Sequence, residues 1–123
     1  MTRLLIAGCR DFTDYEKFCK IVDEHMILLY LHPENATIIS GGASGTDSMA
    51  KRYADERGYY CIEFFANWQL GRKAGPIRNA EMADNCDKAL IFWDSSSKGT
   101  KNMLGHLDDL NIPTSIKYIG GKE

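Results

Sequence analysis

Residues 37–47 read Thr-Ile-Ile-Ser-Gly-Gly-Ala-Ser-Gly-Thr-Asp, an apolar β-branched run followed by a glycine-rich turn. A helical pattern follows, with apolar residues at Met49, Ala50, Tyr53 and Ala54. Glycine lets the backbone adopt positive φ and approach a ligand closely, while the free N–H groups at a helix start face an anion. This strand, turn and helix therefore predict a site for a phosphate-bearing ligand. The alternative is a tight turn in which the glycines serve packing alone.

The composition is that of a globular chain of one domain. It has 123 residues, of which 44% are hydrophobic and 26% charged. The net charge of −2 disfavours non-specific nucleic-acid binding, which depends on many cationic contacts to phosphates. No apolar stretch approaches the length of a membrane span, and no signal pattern is present. The four cysteines form no C-x-x-C pair, which favours reduced thiols. We expect a cytoplasmic protein with no membrane partner.

Short apolar strands alternate with helical patterns along the chain, which predicts an α/β fold with a mostly parallel five-stranded sheet and helices on both faces. The expected strand order is 3-2-1-4-5, within a single domain over residues 1–123. Thr13 and Glu16 form a capping box before the first helix, Gly58 ends the second, and Pro76 starts the third. The predicted strands cover residues 4–7, 37–40, 59–65, 89–93 and 112–119, and the second to fourth helices cover 46–57, 76–86 and 100–110.

Polar or glycine-rich segments follow each of the first four predicted strands. They contain Gly8 and Arg10, the glycine turn, residues 68–79, and residues 94–102. Because ligands bind beyond the carboxyl ends of parallel strands, we expect these segments to form one site.

The glycine turn matches neither common nucleotide motif, because it lacks the lysine of a Walker A loop and the spacing G-x-G-x-x-G. Thr46 or Asp47 is a candidate cap of the second helix. Asp47 is equally a candidate acceptor for a ribose hydroxyl.

Two further segments predict anion contacts. Ser97-Lys98-Gly99-Thr100 offers a cation, two hydroxyls and a helix start, although it also suits a solvated loop. Arg78 lies in the first predicted turn of the third helix, where its charge opposes the helix dipole. This position indicates a ligand or carboxylate partner, or a salt bridge to Glu81 three residues on.

The remaining candidate residues suit either a functional or a structural role. Trp68 suits stacking on a base or sugar, or closing the edge of the core. Asp94 is placed to hold Arg10, Arg78 or a ligand hydroxyl. The three histidines, His25, His32 and His106, follow no catalytic or metal-binding pattern, so we expect no metal.

Five motifs resemble the YspA-type, cpYpsA-related family of the SLOG superfamily, which is named for the SMF/DprA and LOG proteins. One departure is Cys9, where the family often has Ser. The motifs are Gly8-Cys9-Arg10-Asp11-Phe12, Ser40-Gly41-Gly42-Ala43-x-Gly45-x-Asp47, Ala66-x-Trp68, Ala74-Gly75-Pro76-x-Arg78-Asn79-x-x-Met82, and Phe92-Trp93 to Ser97-x-Gly99-Thr100-x-Asn102-Met103.

The resemblance implies a Rossmann-like, three-layer α/β/α fold that binds nucleotides or ligands derived from them. LOG relatives are similar to nucleoside-monophosphate phosphoribohydrolases, which use an Arg on the third helix and a Glu after a second glycine turn. Arg78 matches that Arg, but Asn102 stands where the Glu is expected, and an amide supplies no charge to an oxocarbenium-like transition state. Glu81 and Asp94 are the candidate replacements, so the catalytic candidates are Arg78, Glu81 and Asp94.

The resemblance thus implies a sensor or binding domain for a nucleotide, NAD or ADP-ribose type of ligand, with no separate cofactor. An N-glycosidic hydrolase and a DprA-like single-stranded DNA module are the alternatives, the latter using Arg72, Lys73 and Arg78. A homo-oligomer contacting through the third and fourth helices is also expected. The proposed ligand-binding residues are Gly8, Arg10, Ser40, Gly41, Gly42, Gly45, Thr46, Asp47, Trp68, Arg78, Asn79, Lys98, Gly99, Thr100 and Asn102.

Overall fold

A computed structural model describes residues 1–119 of the chain, and residues 120–123 of the expected domain lie outside that range. Five parallel strands form one sheet in the order β3-β2-β1-β4-β5, which confirms the predicted topology and the Rossmann-like three-layer fold. The elements are β1 (Thr2–Gly8), α1 (Tyr15–Leu28), β2 (Ala36–Ser40), α2 (Thr46–Arg57), β3 (Tyr60–Glu63), a 3₁₀ helix (Trp68–Lys73), α3 (Ala74–Asp84), β4 (Lys88–Trp93), α4 (Lys98–Asp109) and β5 (Thr114–Tyr118).

Two apolar clusters, one on each face, hold the helices to the sheet. Successive residues of a strand point to opposite faces, so Leu4 joins one cluster and Leu5 joins the other. The first cluster packs under α1 and α2 and includes Phe18 and Tyr53. The second packs under α3 and α4 and includes Met82. Burial of both faces explains why the central strands are apolar without period-two alternation.

Three predicted helix starts are wrong by one or two residues. Asp14 rather than Thr13 caps α1, and its Oδ1 accepts from the Lys17 N–H at 3.1 Å. A carboxylate is favoured there because it also meets the positive end of the helix dipole. The third helix begins at Ala74, which leaves Pro76 at the third helical position. An N–H there would have no partner within the helix, so the missing N–H of proline is tolerated. The fourth begins at Lys98 rather than Thr100.

The second helix ends as predicted at Gly58, which adopts φ 82° and donates its N–H to the Ala54 carbonyl. No helix within residues 1–119 is long and apolar enough to cross a membrane.

His25 of α1 provides a test of the packing on the first face of the sheet. Its ring is buried and its Nε2 has no partner among residues 1–119. Burial lowers the pKa of His25 below 6.5, and the nearby Lys117 and Lys88 ammonium groups lower it further. Below about pH 6.5, His25 therefore binds a proton more readily in the unfolded chain than in the native state.

We expect the stability that depends on neutral His25 to be complete above pH 6.5 and to fall as the pH drops below it. Urea unfolding between about pH 7.5 and 5.5 measures this slope, which should be smaller in the variant His25→Gln. An unchanged slope would contradict a neutral buried imidazole.

Candidate functional site

A cleft of about 530 Å³ lies at the carboxyl edge of the sheet, where β1 pairs with β2 on one side and β4 on the other. This is the reversal point at which open α/β sheets bind ligands. All four of the predicted polar segments meet there, the last of them including the start of α4. The lining residues are Ala7, Gly8, Cys9, Arg10, Asp11, Ala43, Asp47, Arg78, Asn79, Met82, Asp94, Ser96, Ser97, Gly99, Thr100 and Met103.

Gly8 and Cys9 form the floor of the cleft at the end of β1. A Cβ on Gly8 would lie 2.3 Å from the Phe92 carbonyl oxygen, so only glycine allows β1 and β4 to lie this close together. The Cys9 thiol is buried, accepts from the Asp94 N–H at 3.3 Å and lies 3.9 Å from the Thr100 hydroxyl. Burial raises the pKa of the Cys9 thiol, so it stays protonated at neutral pH and lacks the reactivity of a thiolate.

The second half of the glycine turn packs against the loop after β1. Gly45 has φ 73°, and a Cβ on it would lie 2.2 Å from the Arg10 carbonyl oxygen. Thr46 donates both its N–H and its hydroxyl to the Cys9 carbonyl, at 3.2 and 2.8 Å. The Ser40 hydroxyl is fully buried and donates to the Asp47 carbonyl. Ser40, Gly45 and Thr46 therefore hold the site together and do not line the cleft.

The predicted cap of α2 by Thr46 or Asp47 is wrong. The capping position is Gly45, which has no side chain to accept a hydrogen bond. The Thr46 hydroxyl is used on the Cys9 carbonyl, and the Asp47 carboxylate bonds to the Ala43 N–H, which precedes the helix.

Asp47 is the buried charged group of the cleft. Its side chain is 5% exposed, and its Oδ2 accepts from the Ala43 N–H at 3.2 Å. Its Oδ1 is buried and has no hydrogen-bond partner among residues 1–119. Burial raises the pKa of Asp47 to about 6, against the opposing effects of the Ala43 N–H and the Arg78 and Arg10 guanidinium groups. The wall of the cleft thus contains a buried carboxylate with one unpaired oxygen, beside two cations.

Arg78 connects α3 to the glycine turn. Its Nη1 donates to the Gly41 carbonyl at 2.6 Å, and its Nε donates to Asn79 Oδ1 at 3.1 Å. Burial lowers the pKa of Arg78, and the Asp47 carboxylate opposes that shift. Glu81 is exposed and does not line the cleft, so the predicted salt bridge from Arg78 to Glu81 is not formed.

Asn79 continues this network to α4. Its Nδ2 donates to Asn102 Oδ1 at 3.0 Å and to the Gly99 carbonyl at 3.3 Å. Asn102 therefore joins two helices and does not line the cleft.

Asp94 shapes the loop that leads into α4. Its Oδ1 accepts from the N–H groups of Ser96 and Ser97, at 2.9 and 2.8 Å, and these bonds lower the pKa of Asp94. The carboxylate pairs with neither Arg10 nor Arg78, which corrects that prediction. The loop places Gly99 and Thr100, in the first turn of α4, against the cleft, whereas Lys98 is exposed and does not line it.

A second cavity of about 350 Å³ lies on the other side of Arg10, Ala43 and Arg78, which line both spaces. Gly41, Gly42, Ser44, Phe65, Ala66 and Trp68 complete its wall, and we call it the aromatic cavity. Trp68 is 60% exposed, so the prediction that it closes the edge of the core is wrong.

Residues 1–119 contain neither a disulfide nor a cluster of metal-ligating side chains. All four cysteines are free, and no three His, Cys, Asp or Glu side chains come together as a metal site requires. None of the three histidines lines the cleft or the aromatic cavity.

Two comparisons with known proteins give matches. The family model described as "YspA, cpYpsA-related SLOG family" matches residues 2–71, from β1 through the glycine turn to the 3₁₀ helix. The Gene 61 protein of Mycobacterium phage D29 is 31% identical over 121 residues, which cover 92% of this chain and 94% of the phage protein. No solved structure matches the chain.

The substitution Gly45→Ala tests the contact between the glycine turn and the loop after β1. We expect it to lower the free energy of unfolding by more than the control Gly71→Ala, which has a similar φ of 70° but no atom within 4 Å of the added Cβ. The control carries only the cost of a positive-φ backbone that L side chains rarely adopt, roughly 1–3 kcal/mol. Chemical denaturation measures both, and equal losses would contradict a role for the Arg10 backbone contact.

The substitution Asp47→Asn tests the cost of the buried carboxylate. Because the native pKa of Asp47 is raised from 3.8 to about 6, the native state binds its proton more tightly than the unfolded chain. Stability is therefore lost as the pH rises from 3.8 through 6, by roughly 3 kcal/mol when the group is fully ionised.

We expect Asp47→Asn to melt at a higher temperature than the unmodified chain at about pH 7.5, and the advantage to shrink at about pH 4. A variant that is less stable at the higher pH would show that pairing with Arg78 outweighs burial.

Proposed function

As this chain belongs to the YspA, cpYpsA-related SLOG family, we propose that its cleft binds a nucleotide or a ligand derived from NAD or ADP-ribose. In this role the protein is a ligand-binding or sensor domain, and the nucleotide is its ligand rather than a cofactor. SLOG membership supports a nucleotide-related ligand in general. The choice among ligands rests on the chemistry of the cleft.

The observation that carries the proposal is the buried Asp47 carboxylate with its unused Oδ1, beside the guanidinium groups of Arg10 and Arg78. A ligand that satisfies all three groups needs both a hydroxyl donor and an anionic group. A ribose phosphate has both. Buried polar groups are costly when unpaired, so a matching ligand gains affinity by pairing them.

Backbone groups supply further anion contacts. The first N–H groups of an α-helix have no partner within the helix, and the start of α4 lines the cleft through Gly99 and Thr100. We assign one phosphate to this helix start. We assign a second phosphate to the guanidinium groups of Arg10 and Arg78, which line both the cleft and the aromatic cavity.

The two alternative functions receive less support. For an N-glycosidic hydrolase, Glu81 is exposed, Asp94 bonds to its own loop, and Asn102 bonds to Asn79. For a single-stranded DNA module, the net charge is −2, and Arg72 and Lys73 line neither the cleft nor the aromatic cavity. Self-association stays a prediction, and Ile77 on α3 is 51% exposed, as such a contact would require.

Thermal denaturation with AMP, NAD and ADP-ribose at millimolar concentration tests binding. A ligand that binds only the native state raises the melting temperature by mass action. Arg78→Gln should weaken binding about tenfold or more, because a hydrogen bond to a charged group contributes roughly 1.5–3 kcal/mol.

The matched control is Arg72→Gln, which removes an exposed cation outside both cavities. The absence of any shift with all three ligands would overturn the proposal. Chromatography of the AMP sample distinguishes binding from hydrolysis, since the hydrolase alternative requires release of free adenine.

A further inference from the structure

The aromatic cavity and the cleft are two halves of one continuous surface. Arg10, Ala43 and Arg78 line both, so their side chains stand at the junction. The cleft of about 530 Å³ is already large enough for a mononucleotide-sized ligand, and the aromatic cavity adds about 350 Å³ beside it. A ligand confined to the cleft would leave this second space unused.

Two large aromatic side chains are exposed at the aromatic cavity. Phe65 is 68% exposed and Trp68 is 60% exposed, whereas Phe12 and Phe92 are buried. An apolar patch that stays in water next to a polar cleft is a common mark of a binding surface.

The backbone holds these rings in place. A Cβ on Gly42 would lie 2.5 Å from the Phe65 ring, so only glycine at position 42 leaves room for the ring. Trp68 starts the 3₁₀ helix, whose Asn67 cap accepts from the Gln69 N–H at 3.2 Å. The Arg10 guanidinium lies 5.9 Å from the centre of the Trp68 ring. The rings are thus positioned without being buried.

We propose that the aromatic cavity binds the planar base of a ligand whose remaining half occupies the cleft. The base stacks on Trp68, and the diphosphate runs from the junction between Arg10 and Arg78 toward the start of α4. A hydroxyl-bearing second sugar reaches Asp47. The ligand class is a nucleoside diphosphate that carries a second sugar. This inference rests on the proposed function and adds to it the length of the ligand and the place of its base.

Stacking accounts for the choice of a base over another apolar group. Every base has a flat π-face, and a cation over an aromatic ring adds attraction. Removing one stacking aromatic weakens binding about five-fold to one hundred-fold in single-stranded nucleic-acid complexes. The arginines at the junction complement the negative charge that joins the two halves of such a ligand.

Calorimetric titration of the full chain with ADP-ribose and with ribose 5-phosphate separates the two halves. ADP-ribose carries a base, whereas ribose 5-phosphate fills the cleft alone. We expect Trp68→Ala to weaken ADP-ribose binding about tenfold and to leave ribose 5-phosphate binding unchanged. The control Leu70→Ala removes a half-exposed side chain from the same 3₁₀ helix and should change neither.

Tryptophan fluorescence gives a second measurement. The chain has two tryptophans, so Trp93 is the remaining tryptophan that emits in the variant Trp68→Phe. ADP-ribose should quench the unmodified chain and not Trp68→Phe, while the phenyl ring that replaces the indole in that variant still supports binding.

Each of the following outcomes would contradict a specific part of the proposals. If the unmodified chain binds both ligands equally, or if Trp68→Ala weakens both alike, the aromatic cavity holds no base, although the proposed function stands. If neither ligand binds, this inference is wrong, and the proposed function falls with it only if AMP and NAD also fail to raise the melting temperature. If a single-stranded oligonucleotide binds more tightly than ADP-ribose, the aromatic cavity serves a nucleic acid and the inference is wrong.

Discussion

The Cys9 carbonyl accepts two hydrogen bonds from Thr46, and the geometry of the whole cleft depends on this contact. It joins the loop after β1 to the start of α2, which come from adjacent strands of the sheet. The contact exists only because Gly45 has no Cβ where the Arg10 backbone passes. With α2 held in this position, Asp47 in its first turn faces the cleft. The glycine turn therefore contributes to the site mainly by placing a carboxylate.

That carboxylate explains why the cleft is not a simple anion site. Burial of Asp47 disfavours its charge, and the guanidinium groups of Arg10 and Arg78 offset only part of the cost. Sites that bind ligands commonly hold polar groups that would be more stable if paired or removed. Here the unpaired Oδ1 favours a ligand that donates a hydrogen bond as well as carrying charge.

The network from Arg78 through Asn79 to Asn102 shows how the two remaining walls are kept in place. It connects the glycine turn, α3 and α4 by hydrogen bonds of 2.6 to 3.3 Å. Arg78 is therefore both a cation of the site and part of its frame. The same network gives Asn102 a structural use, since its amide accepts from Asn79. A carboxylate in its place would accept the same bond but would add a negative charge near the cleft.

The sequence by itself determined the α/β alternation, the order of the five strands, the bounds of α2 and the identity of the edge where a ligand would bind. These features follow from local patterns: apolar runs, glycine at a helix end, and the topology that alternating elements permit. Only the tertiary structure decided what each polar side chain does. Ser40, Thr46 and Asp94 had suitable chemistry for a ligand, but each is engaged by backbone groups. Ser40 and Thr46 donate to carbonyls of other segments, and Asp94 accepts from N–H groups of its own loop. The exposure of Trp68 and the unused oxygen of Asp47 depend on contacts between segments far apart in the chain, which no local pattern encodes.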